Sequence, residues 1–348
     1  MAYKKGKGKM ARKFKKIEPA VQRLTFQVLT EQTGTLNQVQ HLDLSLAASI
    51  ANRRFYRQGI NWAVAGIKLT ANGTGTVNTS KVPTTWSVSN AWEKSFRTWQ
   101  RMNDQVLDEN PSIRGKYYDF KVNADAEMIT AEVQQDGYTG IGPFILTPID
   151  SKGNLTKADY TGVVSPKAEW KYSTIQVPND PTSGLTQEYD LHICGPATAS
   201  SMGLVSGYGL SRSRPVLQDP NTPGATAAGD WMTAIFDDGE QLEELKADII
   251  SDNDQPPYAV GSPGGNSEFY PGGSNEFVGL QFVDFSEFTA TTVSGINHVS
   301  GGQFPCGLVR FDINNDAHAS GGFNSLLIQV DLVPGNHRGY LCEPMTDM

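Results

Sequence analysis

SLLIQVDLV, residues 325–333, sets Leu326, Ile328, Val330 and Leu332 on one side and Leu327, Gln329 and Asp331 on the other. A period of two is what a strand needs when one face meets a core and the other meets solvent, because successive side chains point to opposite faces. Working outward, strand-like segments recur at VQRLTFQVLTEQ (21–32), HLDLSLAAS (41–49) and INWAVAGIKLT (60–70). The last slips phase at Ala65-Gly66, which predicts a bulge. Further segments are KYYDFKV (116–122), EMITAEVQ (127–134), EWKYSTIQV (169–177), EYDLHICG (188–195), EFVGLQFVDF (276–285) and CGLVRFDI (306–313).

Strands at this density, without regular alternation with helices, predict an all-β antiparallel sandwich. The two-sheet jelly roll, built from two Greek keys, is the expected form. The chain carries 35 Gly and 19 Pro, which suits the many turns such a fold requires. One early segment breaks the pattern. SNAWEKSFRTWQRMNDQVLDENP (89–111) places Trp92, Phe96, Trp99 and Leu107 near one face of a helix, with Asn90 and Glu93 as a capping-box pair. The predicted architecture therefore adds one early amphipathic helix, packed through its aromatics, and a long irregular insertion at about 195–273, in which short helical stretches (SSMGLVSGYGL, DWMTAIF and EQLEELKADII) precede a Pro/Gly/Asp-rich run.

Charge is distributed very unevenly. The opening stretch, MAYKKGKGKMARKFKK, holds eight cations (Lys4, Lys5, Lys7, Lys9, Arg12, Lys13, Lys15, Lys16) and no acid. The 21 basic residues that follow face 37 acidic ones, so the rest of the chain carries about −16. Lysines spaced by glycine cannot pack a core, and the segment reads as a disordered arm. Such cations neutralise phosphates without reading bases, because they offer charge and no fixed hydrogen-bond geometry. A solubilising tail and a nuclear import signal are the other uses for the same lysines. A second basic cluster, RRFYRQG, interleaves Arg53, Arg54 and Arg57 with Phe55 and Tyr56, a composition suited to single-stranded nucleic acid. A subunit or core contact is the competing reading of that cluster.

Signals for other chemistry are few. The five histidines are scattered, with no H-E-x-x-H, and the glycine-rich ANGTGTVNTS (71–80) lacks the G-K-[ST] of a phosphate-cradling loop. No G-x-S-x-G elbow occurs. The chain is accordingly expected not to be an enzyme. Cys194, Cys306 and Cys342 lie far apart, an odd number, and are expected as buried free thiols. Asp252 and Asp254 are candidates for calcium held between subunits, with solvated loop acids as the plain alternative. No other cofactor is expected, and no apolar run approaches the length of a membrane span.

A cationic arm joined to a large acidic sandwich makes sense if the sandwich builds a closed shell and the arm reaches inward to packaged nucleic acid. At this point the sequence also resembles a family. RRFYRQGINWAVAGIKL, AWEKSFRTWQRMN, DNDQPPYAVG, FPCGLVRF and LVPGNHRGYLCEPM are similar to segments of capsid proteins of small circular Rep-encoding single-stranded DNA (CRESS-DNA) viruses. The resemblance implies a structural capsid protein that self-assembles into an icosahedral shell and packages single-stranded DNA. Its arm would span residues 1–20 and its single jelly-roll shell domain 21–348. Its partners would be copies of itself, the genome and a host receptor. Its location would be the virion, and the host nucleus or cytoplasm during assembly. A positive-strand RNA virus capsid and a glycan-binding jelly-roll module are the alternatives the residues leave open.

Overall fold

The stretch from Ser325 to Leu332 is a strand, and Leu326, Ile328, Val330 and Leu332 are buried while the residues between them are half-buried. A computed structural model describes residues 20–29, 37–108, 112, 119–129, 147–148, 172–178, 186–213, 279–289, 291–292, 295–315 and 325–348. In chain order the elements begin with β1 (Arg23–Leu29), β2 (Asn37–Asp43), α1 (Leu44–Asn52), β3 (Ile60–Ala71), β4 (Gly75–Lys81) and α2 (Trp86–Leu107). Next come β5 (Thr147–Pro148), β6 (Thr174–Pro178), β7 (Thr186–His192), β8 (Ser201–Gly203) and α3 (Leu204–Ser213). The chain closes with β9 (Gln281–Phe288), β10 (Ile296–Pro305), β11 (Leu308–Asn315), β12 (Ser325–Leu332), β13 (Pro334–Gly335), β14 (Gly339–Tyr340), β15 (Cys342–Pro344) and a 3-10 turn, Met345–Asp347.

Two antiparallel sheets form the body. One runs β10-β3-β12-β1-β5, with β15 also against β3, and the other runs β2-β11-β4-β9. Of the eight principal strands, the first pairs with the last (β1 with β12) and the second with the seventh (β2 with β11). The third pairs with the sixth (β3 with β10) and the fourth with the fifth (β4 with β9). Inward residues of both sheets meet in one core: Phe26, Trp62, Ile67, Leu69, Ile328 and Val330 from one side, Val77, Phe288, Phe311 and Ile313 from the other. Truncating such a side chain, as in Ile328→Ala, costs about 2–5 kcal/mol because the cavity only partly collapses. The all-β sandwich expectation is met.

The predicted bulge is present. Along β12 the register passes from Asp331↔Gly66 directly to Leu332↔Val64, so Ala65 is the extra residue. On the other side, β10 sets Gly301 between Ser300↔Gly66 and Gly302↔Val64. A Cβ at Gly301 would stand 2.3 Å from the Ala65 carbonyl oxygen, so glycine is required there. Beyond the bulge the buried face of β3 changes parity, from Trp62 and Val64 to Ile67, Leu69 and Ala71.

A second core packs beside the sandwich. Helix α2 buries Val88, Ala91, Trp92 and Trp99 against the β6-β7-β8 sheet, α3 and residues 120–128. Phe120 lies within 5.5–5.8 Å, ring to ring, of Trp92, Phe96 and Trp99, so the aromatic face is core, as its spacing predicts. Arg310 of β11 ties the two cores together. Its guanidinium reaches Asp125 Oδ2 at 2.7 Å, Glu127 Oε2 at 2.9 Å and Asp312 Oδ1 at 2.8 Å. His41 Nε2 stands 3.0 Å from Asp125 Oδ1. Burial alone would raise the Asp125 carboxyl, but His41, the Met128 amide and Arg310 together hold it well below the usual carboxylate range.

Several sequence expectations need correction. HLDLSLAAS is strand only to Asp43, whose carboxylate accepts from the amides of Ser45 (2.8 Å) and Leu46 (3.2 Å) and so caps α1. Helix α2 begins at Trp86, before Asn90, and Glu93 pairs with Arg97 one turn on instead of closing a capping box. In KYYDFKV, residues 119–122 form no strand, because Lys121 and Asn123 spend their backbone bonds on Ser173 and Leu191 from different elements. EMITAEVQ opens as a helical turn at 126–129, with the Met128 amide on Asp125, and its residues 130–134 lie outside the described ones. In the insertion at about 195–273, by contrast, the short helix expected at SSMGLVSGYGL is present as α3, preceded by β8, and the two bury Met202, Leu204 and Val205. Its residues 214–273 lie outside the described residues.

Candidate nucleic-acid interface

The loop between β2 and β3 is built from α1 outward. At the helix end Arg53 adopts a left-handed conformation (φ 52°), and the Arg54 amide reaches back to the Ser49 carbonyl at 3.2 Å. This closes the helix as a Schellman-type cap, with arginine where glycine is favoured. Tyr56 is fully buried. Its amide donates to Ser49 Oγ, its hydroxyl to the Arg338 carbonyl at 3.0 Å, and its ring packs with Trp62 and Tyr340 at 5.9 and 5.4 Å. Gln58 is buried as well, donating to Asp43 and to the Val122 carbonyl and accepting from the Val122 amide.

These anchors leave the intervening side chains facing out. Arg53, Phe55 and Arg57 are exposed, Arg54 is half-buried, and the Phe55 ring residue keeps 40% of its surface in solvent. Lys121 backs that ring, its Nζ 5.4 Å from the centroid. Burial lowers the Lys121 ammonium from its ordinary value, opposed by Asp119 and Asp43. Arg57 Nε is 3.3 Å from Asp119 Oδ1. Arg338 joins from the turn between β13 and β14, where its guanidinium donates to the Phe55 carbonyl. It too is left-handed (φ 50°), followed by Gly339 at φ 105°, in a two-residue turn whose first position favours Asn or Gly. Neighbouring His337 is lowered by burial and by Arg338.

The first described residues of the chain, Ala20 and Val21, lie in this same place. The Val21 amide donates to Asn52 Oδ1 at 2.9 Å, and the Val21 carbonyl accepts from the Tyr340 hydroxyl at 2.6 Å. Asn52 Nδ2 completes the link by donating to the Tyr340 hydroxyl at 2.7 Å. The last residue of α1, the segment just before β1 and the C-terminal hairpin are therefore one hydrogen-bonded unit.

Of the residues singled out in the sequence, Arg53, Arg54 and Arg57 share this surface. Tyr56 does not, because the core claims it. Lys4, Lys5, Lys7, Lys9, Arg12, Lys13, Lys15 and Lys16 lie outside the described residues, as do Asp252 and Asp254. Among the described residues no group of three His, Cys, Asp or Glu is placed to hold a metal ion, and no helix is long and apolar enough to cross a membrane. Cys194 and Cys306 are buried free thiols and Cys342 is half-buried. Arg338 and Lys121 were not singled out from the sequence. Arg338 was signalled by NHRGY, an arginine before glycine at a tight turn, whereas nothing local marks Lys121.

Compared with known proteins, the chain matches no family model, no curated protein and no solved structure.

Proposed function

We propose that this chain is a viral capsid protein of the CRESS-DNA kind, whose jelly-roll body assembles into an icosahedral shell and whose N-terminal arm binds packaged single-stranded DNA. The jelly-roll reading is supported by the pairing of first strand with last, second with seventh, third with sixth and fourth with fifth. That pairing is what a long antiparallel hairpin gives when it rolls into two facing sheets. The observation that carries the functional reading is the position of Val21. Val21 follows the last of eight N-terminal cations by five residues and is bonded to Asn52, next to Arg53 and Arg54 and near the turn of Arg338, in a chain whose remaining residues carry about −16. A strongly basic N-terminus on an acidic chain suits a shell protein, which must hold phosphates inside and leave its other surfaces unattractive to them.

The test is assembly of the full-length chain. Purified protein should elute in the void of a size-exclusion column as particles tens of nanometres across, seen as closed shells by electron microscopy. A stable monomer, free of nucleic acid in low and high salt alike, would overturn the reading.

A further inference from the structure

Beyond holding phosphates, the surface beside the arm root carries a feature that charge neutralisation does not need. Phe55 is a large apolar side chain exposed among cations, in a loop whose backbone is fixed before it by the Arg54 amide on the Ser49 carbonyl and after it by the buried Tyr56 and Gln58. Solvent exposure of an aromatic costs stability that an inward-facing rotamer or a polar residue would not, and Lys121 beneath the ring holds it in place. The two nearest turns, at Arg53 and Arg338, both keep arginine in left-handed backbone that glycine would occupy without strain. Strain retained at two arginines, one two residues before the exposed ring and one bonded to its backbone carbonyl, argues for a ligand that carries phosphates next to a planar group.

We propose that Phe55 is a base-stacking platform for a single-stranded nucleic acid, with Arg53, Arg54 and Arg338 holding the flanking phosphates. The proposal rests on the genome-binding reading above and adds what that reading lacks, a contact to a base. A flexible lysine arm binds any polyanion, whereas a ring accepts only a base that is out of its duplex. Every base has a π-face, so the platform distinguishes single strand from double strand without choosing sequence.

Fluorescence anisotropy with the full-length chain tests this, using a labelled oligothymidylate and an abasic oligomer of equal length and charge. The native chain should bind the thymidylate more tightly than the abasic strand. Phe55→Ala should weaken thymidylate binding by about 5- to 150-fold and leave abasic binding unchanged. Phe55→Trp should keep the preference, and a duplex of the same length should bind both variants alike. An unchanged thymidylate-to-abasic ratio in Phe55→Ala, with salt-dependent binding intact, would overturn the platform and leave genome binding standing. Failure of the native chain to bind either oligomer would overturn both.

Discussion

The Val21 amide is hydrogen-bonded to the Asn52 side chain at 2.9 Å, so the chain entering β1 is fixed to the end of α1, next to the arginines that follow it. Neither residue is charged, yet their contact sets the N-terminal end of the described chain beside Arg53 and Arg54. It also makes the loop at residues 53–58 and the chain entering β1 parts of one surface.

Arg53 is predicted to trade stability for binding. Relieving a left-handed non-glycine residue should be worth about 1 kcal/mol, so Arg53→Gly should raise the urea midpoint by a corresponding amount. The same variant should lose one phosphate contact, lowering the salt slope of single-strand binding by roughly 0.7. Urea denaturation and a salt titration of oligonucleotide binding read the two effects separately. A variant less stable than the native chain would show that the arginine side chain supports the fold.

Asp125 should be a pH-dependent brace. Its carboxyl is held below the ordinary value in the folded chain, so its contribution is complete above the unfolded pKa of about 4 and is lost as pH falls through that value toward the folded one. Asp125→Asn should therefore cost roughly 3 kcal/mol near neutral pH, by leaving Arg310 and His41 without their shared anion. The gap between native and variant melting temperatures should narrow as pH drops below about 4. A gap that stays constant from pH 7 to pH 3 would contradict the ion-pair account.

The three thiols should be silent in the folded protein. Burial pushes Cys342 up to about 12 and moves Cys194 and Cys306 upward as well, so none carries appreciable thiolate at pH 8. Ellman's reagent should label them slowly in buffer and promptly in denaturant. Fast labelling of one thiol per chain in native conditions would place Cys342 in solvent.

The sandwich was legible because its strands are half-buried, and Leu326 to Leu332 or the phase slip at Ala65-Gly66 leave a period-two trace that packing preserves. The same trace misled at HLDLSLAAS. There Leu42, Leu44 and Leu46 are all buried, but a helix satisfies that pattern once Asp43 caps it. KYYDFKV failed for a different reason, since Phe120, Lys121, Val122 and Asn123 are all buried and the segment meets β7 only in a single parallel bridge, Asn123 with His192, beyond its last residue. Of the candidate interface, RRFYR was visible because its residues are adjacent in the chain. Lys121 and Arg338 were not, because only the fold brings them to Phe55.

The most direct test of genome packaging by the arm is the nucleic acid recovered from purified particles after external nuclease treatment. Particles of the native chain should protect a single strand that is destroyed by DNase and resists RNase once released. Replacing the seven arm lysines and Arg12 with glutamine should leave the melting temperature nearly unchanged and empty the particles. Native nucleic-acid content in the glutamine variant would contradict the account, and RNase-sensitive material in the native particles would contradict the DNA assignment.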